Sequence, residues 1–196
     1  MMKRLIPILI LCVLSALWAG CASTPSKFYT LSPAAEPGGA TAGYSVAVGP
    51  VSIPAMVDRP QMVVSMGPNQ VGIDEFNRWA SPLQSDIARV VAENLVKLLG
   101  TPLVSVFPQS TAAGASYRLW IDVMRFESAP GKSASLDAVW TVRGAKEGAS
   151  RAGRTTVNEP VADGSTAALV AAHSRALGRL SGEVAEAIRE LDRAGK

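Results

Sequence analysis

The sequence predicts a single α/β domain in which a mixed β-sheet is covered by two main amphipathic helices. Several short segments rich in Val alternate apolar and polar residues, a pattern typical of strands. Two longer segments repeat apolar residues every three or four positions, a pattern typical of helices that bury one side. Because the helical segments are interspersed among the strands, we expect the helices to pack on a sheet.

Gly- and Pro-rich turns separate the strand segments and set their order along the chain. The predicted strands span residues 44–51, 61–66, 71–74, 103–107, 117–126 and 135–143, with a possible return over 154–157. The turn Gly67-Pro68-Asn69-Gln70 predicts that the second and third strands form a hairpin. Segment 117–126 alternates most clearly, which predicts one buried and one half-solvated side.

Two helices are predicted from their end signals and their apolar stripes. Ser81 is a candidate N-cap, Pro82 suits the first helical position, and Gln84 completes a capping box. The stripe of this helix consists of Leu83, Ile87, Val90, Val91, Leu95 and Leu98. The second helix is predicted over residues 165–193. Its stripe consists of Leu169, His173, Leu177, Leu180, Val184, Ile188 and Leu191.

The first 43 residues predict a secretory leader and a tether. Lys3 and Arg4 precede an apolar run over residues 5–17, which is shorter than the ~20 residues that cross a bilayer. The stretch after Cys21 is rich in Pro, Gly and Ala, so we expect it to be flexible. The predicted division is a signal peptide over 1–20, a lipidated Cys21 with its tether over 21–43, and a domain over 44–196.

Cys21 allows two interpretations. In the first, Ala19-Gly20-Cys21 resembles the end of a bacterial lipobox, cleavage precedes Cys21, and this residue becomes an acylated N-terminus. Trp18 stands where Leu is usual in that motif. In the second, an ordinary signal peptidase cuts after Ala19 and leaves a free thiol. Several acyl chains would anchor the chain firmly, because each buried CH₂ contributes about 0.8 kcal/mol.

Composition excludes several classes of function. Loss of Lys3 and Arg4 with the leader lowers the basic residues from 19 to 17, against 16 acidic residues. The charges are interspersed without a basic block, so we expect no nucleic-acid partner. Of the two cysteines, Cys12 would leave with the leader, so neither a disulfide nor a cysteine metal site is expected. Apart from the lipid on Cys21, the sequence indicates no cofactor.

Catalysis is not indicated by any motif. His173 is the single histidine, and it lies on an otherwise apolar stripe, which favours a packed residue over a catalytic base. Neither a nucleophile elbow nor a phosphate-binding loop occurs. We therefore expect a protein that is not an enzyme.

Two polar segments are candidates for partner contacts. Asp58, Arg59 and Gln61 lie among prolines, either as a preformed contact surface or as an Asp58–Arg59 network that fastens the loop to its own domain. Arg78 and Trp79 lead into the first helix and are residue types common at interface hot spots. In the alternative, Trp79 packs with Phe76 between the helix entry and the sheet.

Taken in order, these segments resemble the ABC-type transport auxiliary lipoprotein family, which includes paraquat-inducible protein C. The matching segments are Cys21, Phe28-Tyr29-Thr30-Leu31, Val48-Gly49-Pro50-Val51 with Ile53-Pro54, Val57-Asp58-Arg59-Pro60-Gln61, Arg78-Trp79-Ala80-Ser81-Pro82-Leu83, the strand over 117–127, and Leu169-Val170-Ala171-Ala172-His173. The resemblance covers nearly all of the chain after the leader.

The resemblance implies a non-enzymatic outer-membrane lipoprotein with a mixed α/β domain that faces the periplasm. It implies an MCE-domain protein and an inner-membrane transport complex as partners, and in some members a homo-oligomeric ring. Such systems move phospholipids or other hydrophobic molecules across the Gram-negative envelope. Ala22 follows Cys21, where Asp is the usual signal for inner-membrane retention, so outer-membrane delivery is expected. The alternative function is a periplasmic module that itself carries an acyl chain.

Overall fold

The structure, a computed structural model, describes residues 24–39, 41–145 and 148–195. The signal peptide predicted over 1–20 and the lipidation site Cys21 lie outside the described residues. The described elements are β1 (Lys27–Tyr29), β2 (Val46–Ser52), β3 (Gln61–Gly67), β4 (Gln70–Trp79), α1 (Leu83–Leu99), β5 (Val104–Val106), β6 (Tyr117–Ala129), β7 (Ser133–Gly144), β8 (Ser150–Pro160) and α2 (Thr166–Ala194). A short 3₁₀ helix (Ser110–Ala112) lies between β5 and β6.

All eight described strands form one mixed sheet in the order β1-β4-β3-β6-β2-β5, with β7 on the other edge of β6 and β8 beside β7. The long strand β6 organises the sheet. β2 runs parallel to its first half, where Val46 lies opposite Tyr117. β3 runs parallel to its second half, where Val64 lies opposite Ser128. The sheet therefore has two branches on one edge of β6, which end in β5 and in β1.

One side of this sheet carries both helices. The β6 side chains Leu119, Ile121 and Val123 are buried on that side, as the alternation predicts. A β-bulge between Val123 and Arg125 shifts the alternation by one residue, so that Phe126 also faces the helices. The helices contact each other and join the same apolar core. The predicted fold class, a mixed sheet covered by two amphipathic helices, is confirmed.

The two helices begin differently. α2 has Ser165 as its N-cap, and the Ser165 hydroxyl accepts a hydrogen bond of 3.1 Å from the backbone N–H of Ala168. The predicted capping box of α1 is wrong. Its N-cap is Pro82, no side chain caps the helix, and the Gln84 amide instead donates to the Val51 carbonyl of β2. Gly100, at a positive φ of 62°, ends α1.

The segment before the predicted domain is part of the fold. β1 pairs in parallel with β4, and residues 30–39, here called the strap, lie against the helices. Leu31 is buried; its N–H donates to Asp86 at 2.8 Å and its C=O accepts from Arg89 at 2.7 Å. Further along, a Cβ at Gly38 would collide with the Leu98 carbonyl oxygen.

Asn94 holds the middle of the strap. Its side-chain oxygen accepts from the backbone N–H groups of Ala34 and Ala35, each at 3.0 Å. Its amide nitrogen donates to Ser181 of α2 at 3.2 Å. The prediction of a flexible tether up to residue 43 is therefore wrong from Lys27 onward. The low apolar content of this segment does not make it flexible, because polar side chains of the helices bind the strap backbone.

No helix in the described part of the chain is long and apolar enough to cross a bilayer.

The substitution Asn94→Ala tests the strap. It removes the acceptor for two backbone N–H groups and leaves Ser181 without its donor, so the free energy of unfolding should fall by about 2–4 kcal/mol. Lys97→Ala, at an exposed position of the same helix, should change it by less than about 0.5 kcal/mol. Urea unfolding followed by circular dichroism measures both. Equal effects of the two substitutions would contradict the account.

Candidate functional site

His173 is a packed core residue. Its ring stacks on Phe126 with centroids 3.9 Å apart, and its Nε2 lies 2.8 Å from the Ser128 hydroxyl. The side chain is fully buried, and this burial lowers the pKa of His173 from 6.5 to about 3. A buried imidazole with so low a pKa is a poor general base and cannot meet a substrate. The packed interpretation is the one that the structure supports.

The buried carboxylate Glu159 is engaged in holding β8 to α2. Burial alone would raise the pKa of Glu159, but hydrogen bonds from Arg179 and Arg175 outweigh it and lower the pKa. Arg175 approaches to 3.0 Å and Arg179 contacts the other oxygen. Within the described residues no group of three potential metal ligands comes together. Both oxygens of the Glu159 carboxylate are therefore engaged in structural ion pairs.

The loop before β3 leaves its charged side chains free. Asp58 and Arg59 are exposed, and neither side chain has a hydrogen bond or ion pair within the described residues. The loop is held instead by buried Val57 and by backbone bonds, one of them 2.7 Å long from the Trp79 N–H to the Pro60 C=O. The structure does not contain the alternative Asp58–Arg59 network.

Gln61 and Arg78 come together although they are distant in sequence. They lie opposite each other on β3 and β4. Glu75 joins them: its carboxylate lies 3.3 Å from the Gln61 amide and 3.9 Å from the Arg78 guanidinium, and its C=O accepts from Arg78 Nε at 2.9 Å. The two candidate segments therefore form one polar surface, with Glu75 as a member that the sequence did not indicate.

Trp79 does not belong to that surface. Its side chain is only 6% exposed and packs edge-to-face on Phe126, with centroids 6.2 Å apart. A buried indole cannot serve as a partner contact, so the role proposed for the Trp79 side chain is wrong, and the packing alternative holds for this residue. It does not hold for Phe76, which is 47% exposed.

Exposed apolar side chains gather on β1 and on the β3–β4 hairpin. We call this set the apolar edge patch; its members are Phe28, Met66, Val71, Ile73 and Phe76. Phe28 is 65% exposed and lies opposite Arg78 on the neighbouring strand. Beside residues 70–76 of β4, no other described strand covers the outer edge. Sequence reasoning missed this patch, because exposure on an edge strand depends on sheet order.

The side of the sheet away from the helices carries a second cluster. The Arg118 and Arg143 guanidinium groups lie 6.0 and 5.5 Å from the centroid of the Trp120 ring. Arg118 also lies 5.9 Å from the Phe107 ring. No carboxylate of the described residues lies within ion-pair distance of either arginine. The arrangement offers positive charge and an aromatic ring to a partner.

Comparison with known proteins decides the family. The family model described as "ABC-type transport auxiliary lipoprotein component" matches residues 29–185. The chain belongs to this family. The match begins at Tyr29, within β1, in agreement with a domain that includes the strap. Membership indicates an envelope-associated lipoprotein of a transport system.

Two solved structures have a fold similar to that of this chain. Protein XCC0632 from Xanthomonas campestris, assigned to family model DUF330, is 20% identical with a TM-score of 0.69 over 87% of this chain and all of that chain. An uncharacterized protein is 18% identical with the same TM-score, over 84% of this chain and 99% of that one. At these identities the likeness shows the fold alone. No curated protein matches the chain.

The depressed pKa of His173 predicts how the stability of this family member depends on pH. The unfolded chain binds a proton at His173 below about pH 6.5, whereas the folded chain binds it only near pH 3. The free energy of unfolding should therefore fall as pH drops from 6.5 toward 3, with a slope approaching ~1.4 kcal/mol per pH unit.

Urea unfolding between pH 7 and pH 5 measures this slope. In His173→Asn the slope over that interval should largely disappear, although the variant is less stable at every pH. The Glu159 ion pairs lose their contribution only at lower pH, because the pKa of that carboxyl is lowered from 4.5. A variant that keeps the full slope would show that His173 is not its source.

Proposed function

We propose that this chain is a non-enzymatic subunit that docks an ABC-type transport system at the outer membrane. The match to the transport auxiliary lipoprotein family over residues 29–185 carries the proposal. In it, acyl chains on Cys21 hold the protein to the periplasmic side of the outer membrane. The partner is an MCE-domain protein joined to an inner-membrane transporter, and the cargo is a phospholipid or another hydrophobic molecule. Energy comes from the ATPase of that transporter.

The titratable groups of the domain support a role without bond chemistry. His173 is buried, Glu159 is paired with two arginines, and the described residues bring no metal ligands together. Exposed and unpaired charges occur instead at Asp58 and Arg59, next to the Gln61–Glu75–Arg78 cluster. Such residues suit contacts with a partner or with a second copy in a ring.

The alternative, a module that carries an acyl chain itself, would need an apolar cavity between the helices and the sheet. In the described residues that space is filled, because Leu95, Leu119, Ile121, Leu177 and Ile188 are all fully buried there. A cleft of about 410 Å³ between the strap and α2 is open to the surface. Native mass spectrometry of the domain distinguishes the functions: a bound phospholipid favours carriage, and an empty domain favours docking.

Anchorage is tested by Cys21→Ala. Without the acyl chains the domain should leave the membrane fraction and lose transport-dependent envelope function, while its circular dichroism stays unchanged. Cys12→Ala is the matched control, since that residue leaves with the predicted leader. Fractionation of envelopes and sensitivity of cells to detergents measure the two effects. Continued anchorage with full function in Cys21→Ala would overturn the proposal.

The partner is tested by a mild-detergent pull-down of the lipidated protein from envelopes, followed by mass spectrometry. We expect an MCE-domain protein. Arg59→Glu should lower its recovery by about tenfold, the effect of 1.4 kcal/mol, because a reversed charge repels the surface that the arginine contacts. Lys97→Glu, exposed on α1, is the control. Recovery of the transporter complex without this chain, from cells that contain both, would contradict the docking role.

A further inference from the structure

The ordered strap limits the length of the tether that joins Cys21 to the domain. If residues 21–43 formed the tether, the domain could stand as far as ~75 Å from the membrane. The ordered chain begins much earlier, because β1 pairs with β4 from Lys27 and the strap is bound to both helices. Lys27 follows Cys21 by six positions, which span at most about 21 Å when fully extended. A lipidated Cys21 therefore keeps the first strand close to the bilayer.

The direction of the anchor follows from the register. β1 is parallel to β4, with Lys27 opposite Asn77 and Tyr29 opposite Trp79. From Lys27 back toward Cys21, the strand direction thus points toward the start of β4, at Gln70. That end of the sheet contains the turn of the β3–β4 hairpin. The β6–β7 turn lies beside it, since Pro68 and Pro130 line one cleft.

The apolar edge patch runs along the outer edge of β4, from this end to β1, where Phe28 lies opposite Arg78. Val71 and Ile73 pair with Ser65 and Val63 of β3, on the side of the sheet opposite the helices, and both are nearly half exposed. Met66 is exposed next to the hairpin turn, and Phe76 and Phe28 continue the patch toward β1. An exposed apolar group of this size on an edge strand indicates a contact surface. Exposure of these apolar side chains to water is energetically unfavourable.

The polar candidates lie at the other end of the hairpin. Gln61 begins β3 and Gly67 ends it, so the Arg59 and Gln61 region is roughly 20 Å from the turn. Phe28 and Phe76 extend the apolar edge patch to this end, where Phe28 and Gln61 lie on either side of Arg78. Exposed Lys27 precedes Phe28 at the β1 end of the patch, and exposed Lys132 lies beside the hairpin turn at its other end, as expected near phosphate groups.

We propose that the outer edge of the sheet formed by β4 and β1, with Phe28, Met66, Val71, Ile73 and Phe76, lies on the phospholipid leaflet that holds the acyl anchor. The proposal rests on the lipidation of Cys21 in the proposed function. The apolar side chains enter the interface between headgroups and acyl chains, and the two lysines contact the headgroups. Asp58 and Arg59, which are exposed on the loop before β3, remain accessible to a protein partner.

A spin label at Ile73 tests the proposal in the lipidated full chain, reconstituted in vesicles of phosphatidylethanolamine and phosphatidylglycerol. An introduced cysteine is the single free thiol once Cys21 is acylated and Cys12 is removed with the leader. Leu103→Cys is the matched control. Leu103 is 54% exposed, and its C=O accepts a hydrogen bond from the Val46 N–H at the start of β2. This position is roughly 25 Å along the sheet from Phe28. Mass spectrometry first establishes the acylation of Cys21.

Power-saturation electron paramagnetic resonance gives the accessibility of each label to oxygen and to a water-soluble nickel chelate. We expect an oxygen-to-nickel ratio severalfold higher at Ile73→Cys than at Leu103→Cys. High nickel accessibility at Ile73→Cys in the acylated, vesicle-bound protein would overturn the membrane contact and leave the anchor intact. Low accessibility to both reagents would also overturn it, in favour of a contact between copies. An unmodified Cys21 would overturn the anchor itself, and this inference with it.

Discussion

Polar side chains of two helices hold the beginning of this domain in place, and the course of its N-terminal segment depends on them. Asp86 and Arg89 bind both backbone groups of Leu31, and Asn94 binds the backbone N–H groups of Ala34 and Ala35 while contacting Ser181 of α2. Buried polar groups are costly unless paired. These side chains and the strap backbone therefore satisfy each other, and the helices would expose unpaired groups without the strap.

These hydrogen bonds fix the point at which the N-terminal segment leaves the fold and the direction it takes. With the strap fixed, the chain leaves the fold at Lys27, beside β4 and in the direction of the hairpin turn. The helices cover one side of the sheet, while the other side presents Trp120 between two arginines. The proposed anchor would place the apolar edge patch near the membrane and leave other polar surfaces for partners. The proposed docking role requires such an asymmetry, because the domain would contact a bilayer and a protein at once.

Much of the fold was predictable because it depends on local patterns. The period of two in β6 and the periods of three and four in both helices identified buried positions, His173 included. The capping box failed because the Gln84 side chain found a partner in another strand, Val51, which no local pattern reveals. β8 is longer than the predicted return over 154–157, since an edge strand with polar outward residues shows little alternation.

The candidate site was only partly predictable, because contacts between different strands do not follow from local sequence patterns. The charges of Asp58, Arg59 and Arg78 were visible in the sequence, but the meeting of Gln61 and Arg78 through Glu75 depends on the register of β3 and β4. Phe28 and Phe76 look like core residues in a linear sequence and are exposed because β4 lies near the end of one branch of the sheet. The strap was missed because its composition is that of a linker.

Hydrogen exchange of the strap amides tests the central claim most directly. In the folded protein at neutral pH, the account predicts slow exchange for the N–H groups of Leu31, Ala34 and Ala35, because buried side chains of α1 accept their hydrogen bonds. Nuclear magnetic resonance resolves these amides individually. Exchange at the rate of an unstructured peptide would contradict the account, because residues 30–39 would then belong to a flexible tether.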